Sequence, residues 1–528
     1  MSESSARGPL RLAELIMALS LATDLGTGQP MEYGLRVCLL ATALGAECGA
    51  DERERCDIYY IALLRTIGCV ADAPQIAARF GDEMVANAQI SLLDSASLPD
   101  MLGLLLRHVG EGQSAARRVR MTLAALAAGP GERNQVLTAH CEVAERLAER
   151  LGMAPQIVLG VAQVYERWDG KGSPHHLREE QVTRAARIVS LASAAEAFSR
   201  LGGVERAISI IRERAGSLYD PALAELFRKR ATALFAACDT ASVWDAVLAA
   251  EPGPRPTLSG AARETATRAI ADFADLKSAF TVGHSSGVGV LAASAAERLG
   301  LSESDVTTIR QAGYLHDVGR VGVSSAIWDK PGPLTESEWE RVRLHPYYTG
   351  RVLARPLALA QLADIAALHH ERLDSSGYYR GSPASQLSPQ ARLLAAADVY
   401  HAMMERRPHR PARAPEQAAE QLRVEARAHR LDADAVSAVL AAAGHMTRVT
   451  RRVWPADLSD REVEVLRLVA RGYSNREMAQ RLIIAEKTVG HHIQHIYSKI
   501  GVNNRALASM FAMHHGLFSV EDPEKARA

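Results

Sequence analysis

The sequence predicts an all-α protein: two tandem helical bundles followed by a small four-helix unit. Three observations carry that prediction. Apolar residues recur at three- and four-residue spacings from Leu10 to about Ala250, and again from Leu258 to about Met446, which is the period of a helix with one buried face. Ala and Leu dominate, aromatics are only 5% and β-branched runs are few, so little of the chain favours strands. The first block is also repeated in the second, element for element.

Taken in order, 528 residues are enough for about three domains of roughly 100–200 residues each. The first, 1–250, is broken at Gly129-Pro130-Gly131. Residues 251–257 hold three prolines and read as a linker, since such a run cannot continue a helix. The second block spans 258–447. A short linker, 448–455, leads to a compact unit at 456–519, and 520–528 read as a charged tail. The six cysteines lie in the first half without a CxxC pair, the pattern of buried thiols in a reducing compartment. The opening residues have no signal-peptide layout, and the apolar run Leu15–Leu25 is too short to span a bilayer. We therefore expect a cytoplasmic protein with no membrane association. The formal net charge is zero, so nucleic-acid binding must be local to one face.

The repeat runs at an offset of 251 and later of 205. Asp24-Leu25 aligns with Asp275-Leu276, Val37 with Val288, and Leu64-Arg65-Thr66-Ile67-Gly68 with Leu315-His316-Asp317-Val318-Gly319. Further on, His140 aligns with His345, and Glu166-Arg167-Trp168-Asp169 with Glu371-Arg372-Leu373-Asp374. The second copy carries histidines and aspartates at His284, His316, Asp317, His345, His369, His370 and Asp398. The first has Tyr33, Arg65, Thr66, His140, Val164, Tyr165 and Ser193. Imidazoles and carboxylates in that number suit a pair of transition-metal ions. A copy that keeps one of seven cannot hold two. The first block is expected to be a dead relative of the second.

The second block resembles an HD-GYP domain, a branch of the HD phosphohydrolases. The resemblance rests on Asp275-Leu276-Lys277, Thr281 to His284, His316 to Arg320, Lys330-Pro331-Gly332, His345-Pro346, His369 to Arg372, Asp374, Gly377-Tyr378 and Ala397 to Tyr400. It implies His284, His316 and Asp398 on one ion, His345, His369 and His370 on the other, and Asp317 between them. It also implies catalytic roles for Asp317 and Arg320, and substrate contacts from Lys277, Arg320, Arg372, Asp374, Gly377 and Tyr378. The implied cofactors are two divalent transition-metal ions, iron or manganese ahead of zinc, and the implied substrate is cyclic di-GMP or a related cyclic nucleotide. The pattern is altered at Arg320 (usually lysine), Ser375 (glycine), Tyr379 (the proline of GYP), Gly287 (arginine) and Phe280, where some relatives place a glutamate for a third metal. The alternative class is a transcription factor whose HD blocks are a non-catalytic nucleotide-sensing, partner-binding or dimerisation scaffold.

In the C-terminal unit Ser459 with Glu462, and Ser474 with Glu477, form capping boxes, and Gly472 is a helix stop. Helices are expected to start at Ser459, to run from Ser474 through Leu482 and from Glu486 to Ile500, and to close with one ending at His515. Two short helices before a longer one make a helix-turn-helix plan. Val489, Ile493, Ile496 and Ile500 mark the buried face of the third helix. Its polar face suits a major groove, with Gln494 to read an adenine edge and Lys487 or Lys499 to hold phosphate. The unit is similar to a LuxR-type DNA-binding domain through Leu458 to Glu462, Gly472, Asn475 to Ala479, Lys487 to Val489, His492, Ile496, Lys499 to Val502 and Arg505. Expected DNA contacts are Asn475, Lys487, Thr488, His491, His492, Gln494 and Lys499. The partners are double-stranded DNA, a cyclic dinucleotide and a second copy of the chain as a homodimer. Ala485 stands where the cap serine is usual, and Gly490 where a basic contact is frequent.

Overall fold

In a computed structural model the chain is described over residues 9–94, 130–445, 454–482, 484–515 and 517, with isolated positions between 95 and 129. The expectations for the tail at 520–528 and for residues 448–453 lie outside these. The described chain divides into two units, one ending at Met446 and the other beginning at Thr447.

The first unit is helical as expected. Among the described residues, strands are confined to β1 (Leu10–Arg11) and β2 (Thr257–Leu258), paired antiparallel. They tie the start of the first block to the start of the second. Residues 251–257, expected as a linker, do end the helix Val243–Ala250 and are exposed from Gly253 to Thr257, but both ends are tied down: Leu12 N donates to Pro256 O at 2.9 Å. Glu251 is buried, ion-paired to Arg11 and accepts a hydrogen bond from the Tyr60 hydroxyl at 2.6 Å. A buried carboxylate must find such partners, and these fix the segment against the first block.

The two blocks share one hydrophobic core. Leu12–Gly26 lies against the turn Val318–Gly322 and the helix His345–Leu353. Ion pairs Arg355–Glu32 (2.7 Å), Arg341–Asp82 (3.3 Å) and Arg150–Asp272 (2.7 Å) cross between the blocks at the surface. One crossing is buried. Glu83, at the start of the helix Glu83–Ile90, meets Lys277 Nζ at 2.8 Å and accepts from Ser324 Oγ and the Ser325 amide, both at 2.7 Å. Burial opposes ionisation of Glu83, but Lys277 outweighs it and holds its pKa below the usual 4.5.

In the second unit the helices are Asp460–Ala470, Asn475–Leu482, Glu486–Ile500 and Arg505–His514. Ser459 and Glu462 cap each other, as do Ser474 and Glu477. Val463, Leu466, Val489 and Ile496 are buried in its core. Ala485 supplies no side-chain cap to the third helix. No single described helix of the chain is long and apolar enough to cross a membrane.

Candidate metal centre

Three of the histidines are placed by one local device. His316 follows the helix Glu303–Leu315, His345 follows Glu336–Arg343, and His369 follows Ala360–Ala366. The last carbonyls of a helix have no partner within it. His316 Nδ1 lies 2.7 Å from Gly313 O, His345 Nδ1 2.6 Å from Val342 O, and His369 Nδ1 2.6 Å from Ala366 O. Each Nδ1 therefore donates to the carbonyl three residues back, which leaves the Nε2 lone pair free to ligate.

Those lone pairs converge. His345 Nε2 and His369 Nε2 are 3.1 Å apart with neither positioned to donate, a repulsive approach that a cation between them relieves. Two groups of ligand atoms form: His345, His369 and His370 in one, and His284, His316 and Asp398 in the other. Asp317 faces both. Its Oδ1 is 3.4 Å from His345 Nε2 and 3.5 Å from His369 Nε2, while Oδ2 is 3.5 Å from His316 Nε2 and 3.7 Å from His284 Nε2. His316 Nε2 and Asp317 Oδ1 are nevertheless buried without a hydrogen bond. Unsatisfied polar atoms aimed inward are what a ligand set for a cation looks like. The residues fit a two-metal centre.

The electrostatics agree with that use. Burial pushes His316 down to about 4 and lowers His345 and His370 as well, so all three are neutral ligands at pH 7. Burial opposes ionisation of Asp317 and Asp398, yet the Arg320 guanidinium beside Asp317 and the His284 ring that donates to Asp398 hold both well below the usual carboxylate range. Burial also disfavours a charge on His284, but hydrogen bonds to Asp398 and Glu405 outweigh it and raise its pKa to about 9.

The other expected site residues are divided. Arg320 donates to Asp317 Oδ2 at 2.9 Å, with its guanidinium 4.0 Å from the Trp328 ring centre. Tyr378 packs on the His370 ring at 4.6 Å. Gly377 sits so close to Glu371 and Arg372 that a β-carbon would lie 2.5 Å from their backbone, so only glycine fits. Arg372 is turned to the His369 and Glu371 carbonyls. Two residues are occupied elsewhere. Lys277 is spent on Glu83 in the buried ion pair. Asp374 is exposed and bonds the Ser376 amide and hydroxyl, which makes it a turn residue. Sequence reasoning missed Glu405 and His401, which adjoin His284, and Arg407, which bonds Glu405; they lie three to nine residues beyond Asp398. Helical spacing from Asp398 to His401 was the available signal.

In the second unit Lys487, Thr488, His491 and Gln494 are exposed on the third helix and His492 is half-buried. Lys499 is tied to Glu462 at 2.6 Å, and Asn475 accepts from Arg505 at 3.3 Å. Those two are engaged within the fold.

A helical bundle that turns five histidines and two aspartates toward two adjacent points is the scaffold of a histidine–aspartate metallohydrolase. The chain belongs to the HD domain family, which matches residues 120–223 and 268–435, and residues 456–512 match bacterial regulatory proteins of the luxR family. The 3′3′-cGAMP-specific phosphodiesterase 3 of Vibrio cholerae is 29% identical over 412 residues, covering 78% of this chain and 90% of that one. A cyclic di-GMP phosphodiesterase of Thermotoga maritima is 38% identical over 143 residues, covering 27% of this chain and 38% of that one. Among solved structures, a cyclic GMP-AMP specific phosphodiesterase of V. cholerae matches with a TM-score of 0.58 at 26% identity, over 83% of this chain and 99% of that chain.

Proposed function

We propose that the chain is a cytoplasmic regulator whose second HD block, 258–447, hydrolyses a cyclic dinucleotide, while the unit at 456–519 binds DNA as part of a homodimer. The block at 1–250 is its non-catalytic companion. The observation that carries the hydrolytic reading is the Asp317 carboxylate, which offers one oxygen to each group of histidines. His284, His316 and Asp398 would hold one ion, His345, His369 and His370 the other. The donor set favours iron or manganese, with zinc as the alternative. The chemistry such a pair would supply when bound is activation of water at neutral pH and neutralisation of phosphodiester charge.

The chain's own residues do the rest. Arg320 keeps Asp317 ionised and in place, and the half-buried Arg407, paired to Glu405, lies nearby. Tyr378 closes the site over His370 and His345. The long similarity to a 3′3′-cGAMP-specific enzyme spans both HD blocks, so 3′3′-cGAMP joins cyclic di-GMP as a substrate.

The test is to load the protein with manganese, offer each nucleotide in turn and separate linear and mononucleotide products. Turnover of either, lost in His316→Ala, supports the reading. A protein that holds two ions and turns over neither is a sensor. For the DNA unit, Lys487→Ala should weaken binding across sequences and reduce the slope of log affinity against log salt by about 1, measured by fluorescence anisotropy.

A further inference from the structure

His284 lacks the device that orients the other histidines. It opens the helix His284–Arg298, and the first turn of a helix presents amides rather than free carbonyls. No carbonyl of its own turn can take its Nδ1 proton. The side chain is nevertheless buried, with Nε2 3.2 Å from Asp398 Oδ1. On the other side of the ring, Nδ1 lies 3.1 Å from Glu405 Oε2 and 3.3 Å from His401 Nδ1. His401 Nδ1 is itself 3.2 Å from Glu405 Oε1, and Arg407 Nη2 donates to Glu405 Oε2 at 2.6 Å. One carboxylate thus gathers a second imidazole and a guanidinium behind the ring.

Room for that arrangement comes from Gly287, on the same helix as His284. A β-carbon there would collide with the His401 ring. The glycine standing at the family's arginine position is therefore the seat of His401.

We propose that Glu405 and His401 are positioning residues for His284. Glu405 accepts the Nδ1 proton and so fixes the tautomer with Nε2 as the ligating atom, and His401, seated on Gly287, holds Glu405 in place. Side-chain acceptors of this kind raise the basicity of a ligating imidazole and set its direction, and their removal costs about 10–100-fold in metal affinity. The inference rests on the reading of His284 as a metal ligand.

The experiment is a stepwise calorimetric titration of metal-free full-length protein with Mn(II), with thermal unfolding of each variant followed alongside so that only folded proteins are compared. Wild type is expected to take two ions. Glu405→Ala should weaken one step by about 10–100-fold and leave the other unchanged. Glu405→Gln keeps one acceptor oxygen and should recover part of the loss. Gly287→Ala, which displaces His401, should weaken the same step by less. Two unaltered steps in folded Glu405→Ala overturn the positioning role alone. A third ion in wild type that Glu405→Ala loses also overturns it, because the cluster would then be a ligand set of its own. A wild type that takes up no Mn(II) overturns the two-metal reading itself.

Discussion

The two HD blocks keep the same frame around opposite chemistry. Asp24 accepts from the Gly34 amide and Asp275 from the Ser285 amide, ten residues on in each case. Glu166 accepts from the amides of His175 and Leu177, and Glu371 from those of Arg380 and Ser382, at the same spacings. Gly68 and Gly319 each press on the carbonyl of the equivalent histidine, His140 or His345. Even ring packing is retained: His140 meets Tyr165 edge-on at 4.9 Å, as His345 meets His370.

The interior polar groups differ. The His284–Asp398 contact is replaced by a hydrogen bond between the Tyr33 and Ser193 hydroxyls at 2.7 Å. Arg65, in the place of His316, lies 5.6 Å from the Tyr165 ring centre, and Thr66, in the place of Asp317, donates to Thr23 at 3.1 Å. A buried polar site must be satisfied. The second block turns imidazole and carboxylate atoms inward, and the first fills the same space with two hydroxyl pairs and the cationic Arg65, which repels a metal ion.

The largest expected effect tests that contrast directly. Asp317→Asn should reduce bound metal from two ions to at most one, measured by elemental analysis. Product formation should fall by at least about 100-fold, the scale of one electrostatic group at a reacting centre. Its counterpart Thr66→Asp should leave the metal count at two. An extra ion in that variant would mean that the first block is not closed.

Next is the buried bridge between the blocks. Glu83→Gln leaves Lys277 without its charge partner and should cost about 3 kcal/mol at pH 7, measured by denaturant unfolding. The folded pKa of Glu83 lies below its ordinary value of 4.5, so its contribution is complete above that value and is lost as pH falls through the folded one. The gap between variant and wild type should therefore narrow below pH 4.5 and stay constant above it. A gap that widens in acid would place the stabilisation elsewhere.

The smallest effect belongs to the first block's interior. Tyr33→Phe removes one buried hydrogen bond and should cost about 1 kcal/mol, with metal content and hydrolysis unchanged. Loss of metal on that substitution would couple the blocks in a way their separate sites do not explain.

Much of this was legible in one dimension. Helical period, capping boxes and the repeat gave the all-α plan, and the C-terminal helices fall where their caps predict, to within a residue. All seven expected ligands come together, and local caps start three of the helices involved: Ser302 caps the helix that delivers His316, Thr335 the one before His345, and Ser388 the one bearing Asp398. Lys277 and Lys499 read equally well as ligand contacts, since a lysine's partner is not written in its neighbours. One found Glu83 and the other Glu462.

The sequence by itself determined the helices, the tandem repeat and the identity of the inward histidines and aspartates, because periodicity, capping and donor chemistry are local properties. Only the tertiary structure decided that residues 251–257 are anchored, that Lys277 bridges the blocks, and that Glu405 and His401 stand behind His284. Each of those depends on which distant group fills a given volume. The empty β-carbon position of Gly287 acquires meaning only when the His401 ring is seen to occupy it.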